Sequence, residues 1–258
     1  MEETAYAKIN LALRVGGKRA DGYHDLDTLF AFAEDGDRLR VEAGEGISLR
    51  VVGPFAGDLG GVEDNLVVRA ARLLGEGRGA ALTLDKRLPV SSGIGGGSAD
   101  AAAALRLLCR WWGLHPARED LLKLARDIGA DVPACVRSRT VRGTGRGDEL
   151  IGVRQDFAGT PVLLVNPGVP VRTADVFARW KRVRGHGNDL QAPALEIAPV
   201  IGEVIELLHS QPGTRMVRMS GSGATCFALF STEAGRDAAE AAIGAARPGW
   251  WRLASRLR

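Results

Sequence analysis

The chain has 258 residues, enough for one large or two small domains, and its 45% hydrophobic and 25% charged content allows a sizeable core. A net charge of only +3, with no basic block, suits an anionic substrate and argues against a nucleic-acid partner. Cys109, Cys135 and Cys226 are odd in number, far apart and without CxxC spacing, which excludes a disulfide framework or zinc site and fits a reducing cytoplasm. The acidic start MEETAYAKIN lacks a signal-peptide pattern. No apolar stretch approaches the ~18–20 residues that span a bilayer. A cytoplasmic protein without a membrane partner, as a monomer or weak homodimer, is expected.

Ala5–Val15 alternates with the period of a strand, Ala7, Ile9, Leu11, Leu13 and Val15 on one face and Tyr6, Lys8, Asn10 and Arg14 on the other. Lys8 and Asn10 therefore project from one side, about 7 Å apart by strand rise. Two solvated residues on an outer face would give the same pattern. Gly16–Gly22 reads as a turn, followed by Tyr23, His24 and Phe30. A flat ring beside an imidazole that both donates and accepts suits a heterocyclic base. Leu39–Ala43 and Ile47–Val52 read as strands, and Glu63-Asp64-Asn65 opens a helix over Leu66–Leu74.

Ala81–Lys86 is a strand leading into LPVSSGIGGGSADAAAA, Leu88–Ala104. Gly93, Gly95, Gly96 and Gly97 let backbone N–H groups face a ligand closely. Ser98 stands where a hydroxyl can cap the helix over Ser98–Trp112, and that helix start favours an anion. A Walker A loop is excluded, since no Lys follows the glycines, and Ser98 replaces the third glycine of a dinucleotide fingerprint. Asp100, in the first turn, complements the helix dipole. Arg118–Ile128 is a further helix, stopped at Gly129, and Asp131 follows in a loop that a rigid scaffold can present to a ligand.

Arg142–Glu149 is a glycine-rich turn at the end of a first domain. Pro161–Val165 is a buried strand, Thr173–Val183 a helix capped by Thr173, and Val200–Leu208 another helix. Met216–Met219 and Ala224–Phe230 are strands joined by Ser220–Gly223, a turn that either offers N–H groups to a phosphate or simply closes a hairpin. Glu233–Ala246 is helical and Trp251–Leu253 closes the sheet. Mixed helices and strands around an antiparallel sheet predict an α+β fold.

PVSSGIGGGSADAAAAL resembles the signature loop of the GHMP kinases, and MSGSGATCFALF resembles their third motif. AKINLALRV, RADGYHDLDTLF, GADVP and NDLQ resemble the branch acting on a cytidine diphosphate-linked methylerythritol in non-mevalonate isoprenoid precursor synthesis. The motifs keep their order from Ala7 to Phe230. The resemblance implies two domains: residues 1–150 as an ATP-binding domain like the second domain of ribosomal protein S5, and residues 151–258 as a ferredoxin-like domain. It implies ATP and Mg²⁺, with Lys8 and Asp131 as the catalytic pair and Asn10, Tyr23, His24 and Thr173 on the substrate. Asn65, Pro89, Val90, Ser91, Ser92, Gly93, Ile94, Gly95, Gly96, Gly97, Ser98 and Ala99 fall on nucleotide-binding positions. No second carboxylate stands out as a metal ligand, so phosphates and water would hold most of the Mg²⁺. Ala134 follows Val-Pro where the family often has phenylalanine, and Ala5-Tyr6 replaces a usual proline. A homoserine- or mevalonate-type kinase, or a non-catalytic S5-like RNA-binding protein, are the alternatives.

Overall fold

In the computed structural model, which describes residues 1–154 and 157–258, the chain forms two compact units interleaved along the sequence. The first holds residues 1–7, 35–90 and 95–138; the second holds 8–34, 91–94 and 139–258. No single cut near residue 150 separates them, because β1 (Glu2–Lys18) and β2 (His24–Glu42) each contribute residues to both. Both strands outrun the sequence expectation. β1 continues through the Gly16-Gly17 pair, and β2 passes through Gly36, where a Cβ would sit 1.9 Å from the Ala5 carbonyl oxygen. Glycine there reads as a break but serves close strand approach.

In the first unit the end of β2 pairs antiparallel with β4 (Ala80–Asp85), and β4 pairs parallel with β3 (Ile47–Val52). Leu39, Val41, Leu82 and Leu84 alternate into the core. Over it lie α1 (Leu66–Leu74) and α2 (Gly96–Trp112), followed by α3 (Arg118–Ile128) and α4 (Val132–Arg137). Ala99 and the run Ala101–Ala104 are buried, so α2 approaches its neighbours with almost no side-chain bulk between backbones. Arg106 ties α2 to the first strand and to α4, donating to Glu3 Oε1 at 2.9 Å, Thr4 O at 2.9 Å and Cys135 O at 2.7 Å.

In the second unit β2 pairs with β5 (Val141–Thr144), which pairs with β6 (Glu149–Gly152); the glycine-rich stretch expected as a turn is this hairpin. A separate antiparallel sheet runs β10-β7-β9-β8, from β7 (Pro161–Asn166), β8 (Thr214–Met219), β9 (Cys226–Phe230) and β10 (Trp251–Arg256). Numbered within that segment the order is 4-1-3-2, the split βαβ of a ferredoxin-like domain, as expected. Between β7 and β8 lie α5 (Thr173–Arg179), α6 (Gln191–Ile197) and α7 (Val200–His209); α8 (Glu233–Ala246) precedes β10. Leu163, Val165, Ile201, Val204, Ala228, Phe230 and Ile243 make the core of this layer. The expected helix to Val183 stops at Arg179, and Arg182 takes a left-handed φ of 60°. Thr173 is the first residue of α5 and not its cap, which falls at Arg172.

Candidate active site

On β1, Lys8 and Asn10 do share a face, but that face is buried, each residue being 3% exposed. An ammonium taken out of water needs polar partners. Lys8 Nζ donates to Asn10 Oδ1 at 2.7 Å and lies 5.3 Å from the centre of the Phe30 ring. Asn10 Nδ2 donates to Thr28 Oγ1 at 2.7 Å, and that hydroxyl donates to Ala12 O at 2.7 Å. The chain of bonds fixes the amide's orientation, and the amide in turn fixes the lysine. Thr28, silent in the sequence, is the anchor.

The same strand touches two glycine segments of its own unit. Lys8 N–H donates to Ile94 O at 3.0 Å, and Asn10 N–H donates to Ser220 Oγ at 3.1 Å. Ser220 Oγ donates onward to Gly93 O at 3.0 Å. Gly93 has φ +78°, and a Cβ on it would lie 2.4 Å from Ser220 O. Residues 91–94 and 220–223 are thus packed backbone to backbone. Ser92 and Ile94 are buried and Ser91 is exposed at φ 52°.

In the first unit the remaining loop residues, Gly95 to Ala99, form the head of α2. The helix starts two residues earlier than Ser98. Gly95 takes the cap position at φ 64°, ψ 25°, without a side-chain bond, so Ser98 does not cap it. Only glycine enters that left-handed conformation without strain, and this gives the N-terminus to bare amides. The N–H groups of Gly96, Gly97 and Ser98 have no intrahelical acceptor by the geometry of a helix start. Gly97 is exposed, Gly96 and Ser98 half-buried. Ala99 N–H returns to Gly95 O at 2.8 Å. Pro89 is buried and Val90 half-buried on the way in.

Asn65 caps α1, its Oδ1 accepting the Val67 N–H at 2.9 Å. Asp131 lies in the turn after α3, as expected, where it takes the cap position before α4, and its side chain makes no capping bond there. Asp100 departs from its expected role at the dipole: it is 2% exposed and accepts from Lys86 Nζ at 2.7 Å. Burial pushes its carboxyl up to about 8.

In the second unit Tyr23 and His24 end the β1–β2 turn, where Arg19 N–H donates to Tyr23 O at 2.7 Å. His24 stacks on Phe177 at 5.1 Å and 20°, and meets Trp180 edge-on at 5.7 Å. Tyr23 is 53% exposed, with the Arg146 guanidinium 5.2 Å from its ring centre. Phe177, Trp180 and Arg146 were not singled out from sequence; in a chain that is 5% aromatic, two rings within four residues were the available signal. Thr173 Oγ1 lies 2.8 Å from Ser222 Oγ. Among the described residues no three His, Cys, Asp or Glu side chains cluster as a metal cage, and no helix is long and apolar enough to cross a membrane.

A GHMP kinase N-terminal domain model matches residues 65–139 and a GHMP kinase C-terminal model matches 177–248, so the chain belongs to the GHMP kinases. It is 56% identical to a 4-diphosphocytidyl-2-C-methyl-D-erythritol kinase of Rhizorhabdus wittichii, over 99% of this chain and 94% of that one. A solved 4-(cytidine 5'-diphospho)-2C-methyl-D-erythritol kinase superposes with a TM-score of 0.83 at 32% identity, covering 100% of this chain and 99% of that one. Within the GHMP kinases the chain therefore falls in this family. A homoserine kinase from Cytophaga hutchinsonii, 19% identical with a TM-score of 0.67 over 98% of this chain and 95% of that one, shares the fold.

Proposed function

We infer that this chain is an ATP-dependent kinase that phosphorylates the 2-hydroxyl of 4-diphosphocytidyl-2-C-methyl-D-erythritol, giving the 2-phosphate and ADP for isoprenoid precursor synthesis. What carries the reading is membership of this family, with two features that each lie within one unit: a helix start at Gly96–Ser98 that no side chain caps, and a buried ammonium held by Asn10 on β1. Phosphoryl transfer asks for positioning and charge stabilisation more than covalent help. The amides at the head of α2 take the phosphates, favoured by the helix dipole. Lys8, fixed by Asn10, stabilises charge spreading over the transferring group. Asp131 orients the substrate hydroxyl and receives its proton.

His24, supported by Phe177, and Tyr23 hold the cytosine base, imidazole and phenol supplying polar edges to a flat heterocycle. Thr173, beside Ser222, is a polar contact for the substrate. Mg²⁺ would neutralise phosphate charge when bound. Asp100 is committed to Lys86, and phosphates and water would hold most of the ion. The test is incubation with ATP·Mg²⁺ and a panel of alcohols, including homoserine, mevalonate and the cytidine-linked methylerythritol, scoring ADP release and phosphorylated product. Phosphorylation of mevalonate or homoserine in preference would reject the assignment.

A further inference from the structure

Behind the anion-ready head of α2 lies a buried ionic triad. Asp37 of β2 is fully buried; its Oδ1 accepts the N–H groups of Arg87 at 2.6 Å and Leu88 at 2.8 Å, and its Oδ2 accepts from Lys86 Nζ. The same ammonium donates to Asp100 Oδ2 at 2.7 Å, and a Cβ on Gly96 would sit 3.0 Å from it. Asp37 thus grips the two residues that enter the glycine loop, and Lys86 joins that grip to the first turn of the helix that leaves it. One ammonium faces two carboxylates in a dry site. Asp37 accepts three hydrogen bonds, while Asp100 Oδ1 is buried with no hydrogen-bond partner.

We propose that Asp37 and Lys86 are positioning residues for the phosphate-binding turn, and that Asp100 serves beside them as a neutral carboxylic acid. Were both carboxylates ionised, a surplus negative charge would sit under the amides that must attract phosphate. With Asp100 neutral, Lys86 and Asp37 cancel and the helix start keeps its positive end. A purely structural role would not need charge here, since buried ion pairs are often replaceable by apolar groups without loss of stability. Burial raises the Asp100 carboxyl against the lowering effect of Lys86, and Asp37 raises it further. Of the other charged groups on the helices packed against α2, those of α1 are engaged elsewhere, and those of α4 are Asp131 at its head and Arg137 in its last turn. On α1, Arg69 donates to Asp127 O and Arg72 pairs with Glu63.

The proposal rests on the kinase reading above, so its test measures binding of the non-hydrolysable analogue AMP-PNP with Mg²⁺ by calorimetry. Wild-type affinity should fall about tenfold between pH 7 and pH 9.5, as ionising Asp100 places a charge near the bound phosphates. D100N should lose that fall. D37N, checked by circular dichroism, should weaken binding about tenfold at pH 7, because the loop's entry is released. A wild-type affinity flat across this range, or the same fall in D100N, overturns the neutral-acid role. A folded D37N that binds as wild type overturns the positioning role. Absence of AMP-PNP binding by the wild type itself refutes the nucleotide site, and the triad's role with it.

Discussion

Replacing Gly93 by alanine should cost about 3–4 kcal/mol, a large share of the ~5–15 kcal/mol that holds a typical domain together. The backbone at Gly93 has φ +78°, where a side chain carries a strain of about 1–2 kcal/mol. The new Cβ would also meet three backbone atoms: Ser220 O at 2.4 Å, and Gly223 N and O at 2.9 Å each. Backbone cannot swing aside as a long side chain can, so the two glycine segments must part by about 1 Å to regain ordinary contact. Parting breaks the Ser220 Oγ to Gly93 O bond of 3.0 Å and loosens the Asn10 N to Ser220 Oγ bond of 3.1 Å. Each is worth about 1 kcal/mol. Urea unfolding gives the stability, and steady-state kinetics should show kcat falling, because Asn10 orients Lys8. Gly97→Ala is the control: its Cβ would meet only Leu66 Cδ1 at 3.7 Å, and its stability should stay within about 1 kcal/mol of wild type. If Gly93→Ala unfolds at the wild-type urea midpoint, the close packing described for residues 91–94 is wrong.

Asp131→Asn should lower kcat at least about a hundredfold while AMP-PNP binding changes little, since a group acting on the transferred proton has little to do with holding the nucleotide; full turnover removes Asp131 from the mechanism. Phe177→Ala takes away the ring stacked on His24 at 5.1 Å and should raise KM for the cytidine-linked substrate about two- to tenfold, with KM for ATP unchanged. Equal effects on both would show that the cluster only supports the fold. The Asp100 carboxyl, pushed up by burial to about 8, lies well above its unfolded value of ~3.9. The folded chain therefore binds this proton more tightly. Its stabilising contribution is complete below about pH 4 and is lost as pH rises towards 8. Unfolding free energy measured from pH 5 to 8 should decline more steeply for wild type than for Asp100→Asn; parallel slopes contradict it.

Local sequence was enough wherever function or structure needs only neighbours. Leu66–Leu74, Arg118–Ile128 and Glu233–Ala246 are helices over the expected residues, because an apolar period of 3.6 and a start or stop signal are properties of the segment alone. The glycine loop announced a helix start suited to anions for the same reason. The residue types of Lys8, Asn10, Tyr23 and His24 were equally plain. What stayed hidden depended on atoms distant in the chain. Of β2 only its end, read as Leu39–Ala43, was legible as strand, because the close passage of Gly36 by Ala5 is visible only when the two strands lie together. Ser98 lost the cap to Gly95, since a left-handed glycine starts the helix two residues sooner. Alternation put Lys8 and Asn10 on one face but left open whether that face was wet; the bonds to Thr28 and Ser220 decided that it is buried. Asp100 looked like a dipole partner until Lys86, 14 residues from it in sequence and 49 from Asp37, brought the three together. Periodicity is encoded residue by residue, whereas the protonation of a carboxylate and the aim of an ammonium depend on the field of everything folded around them.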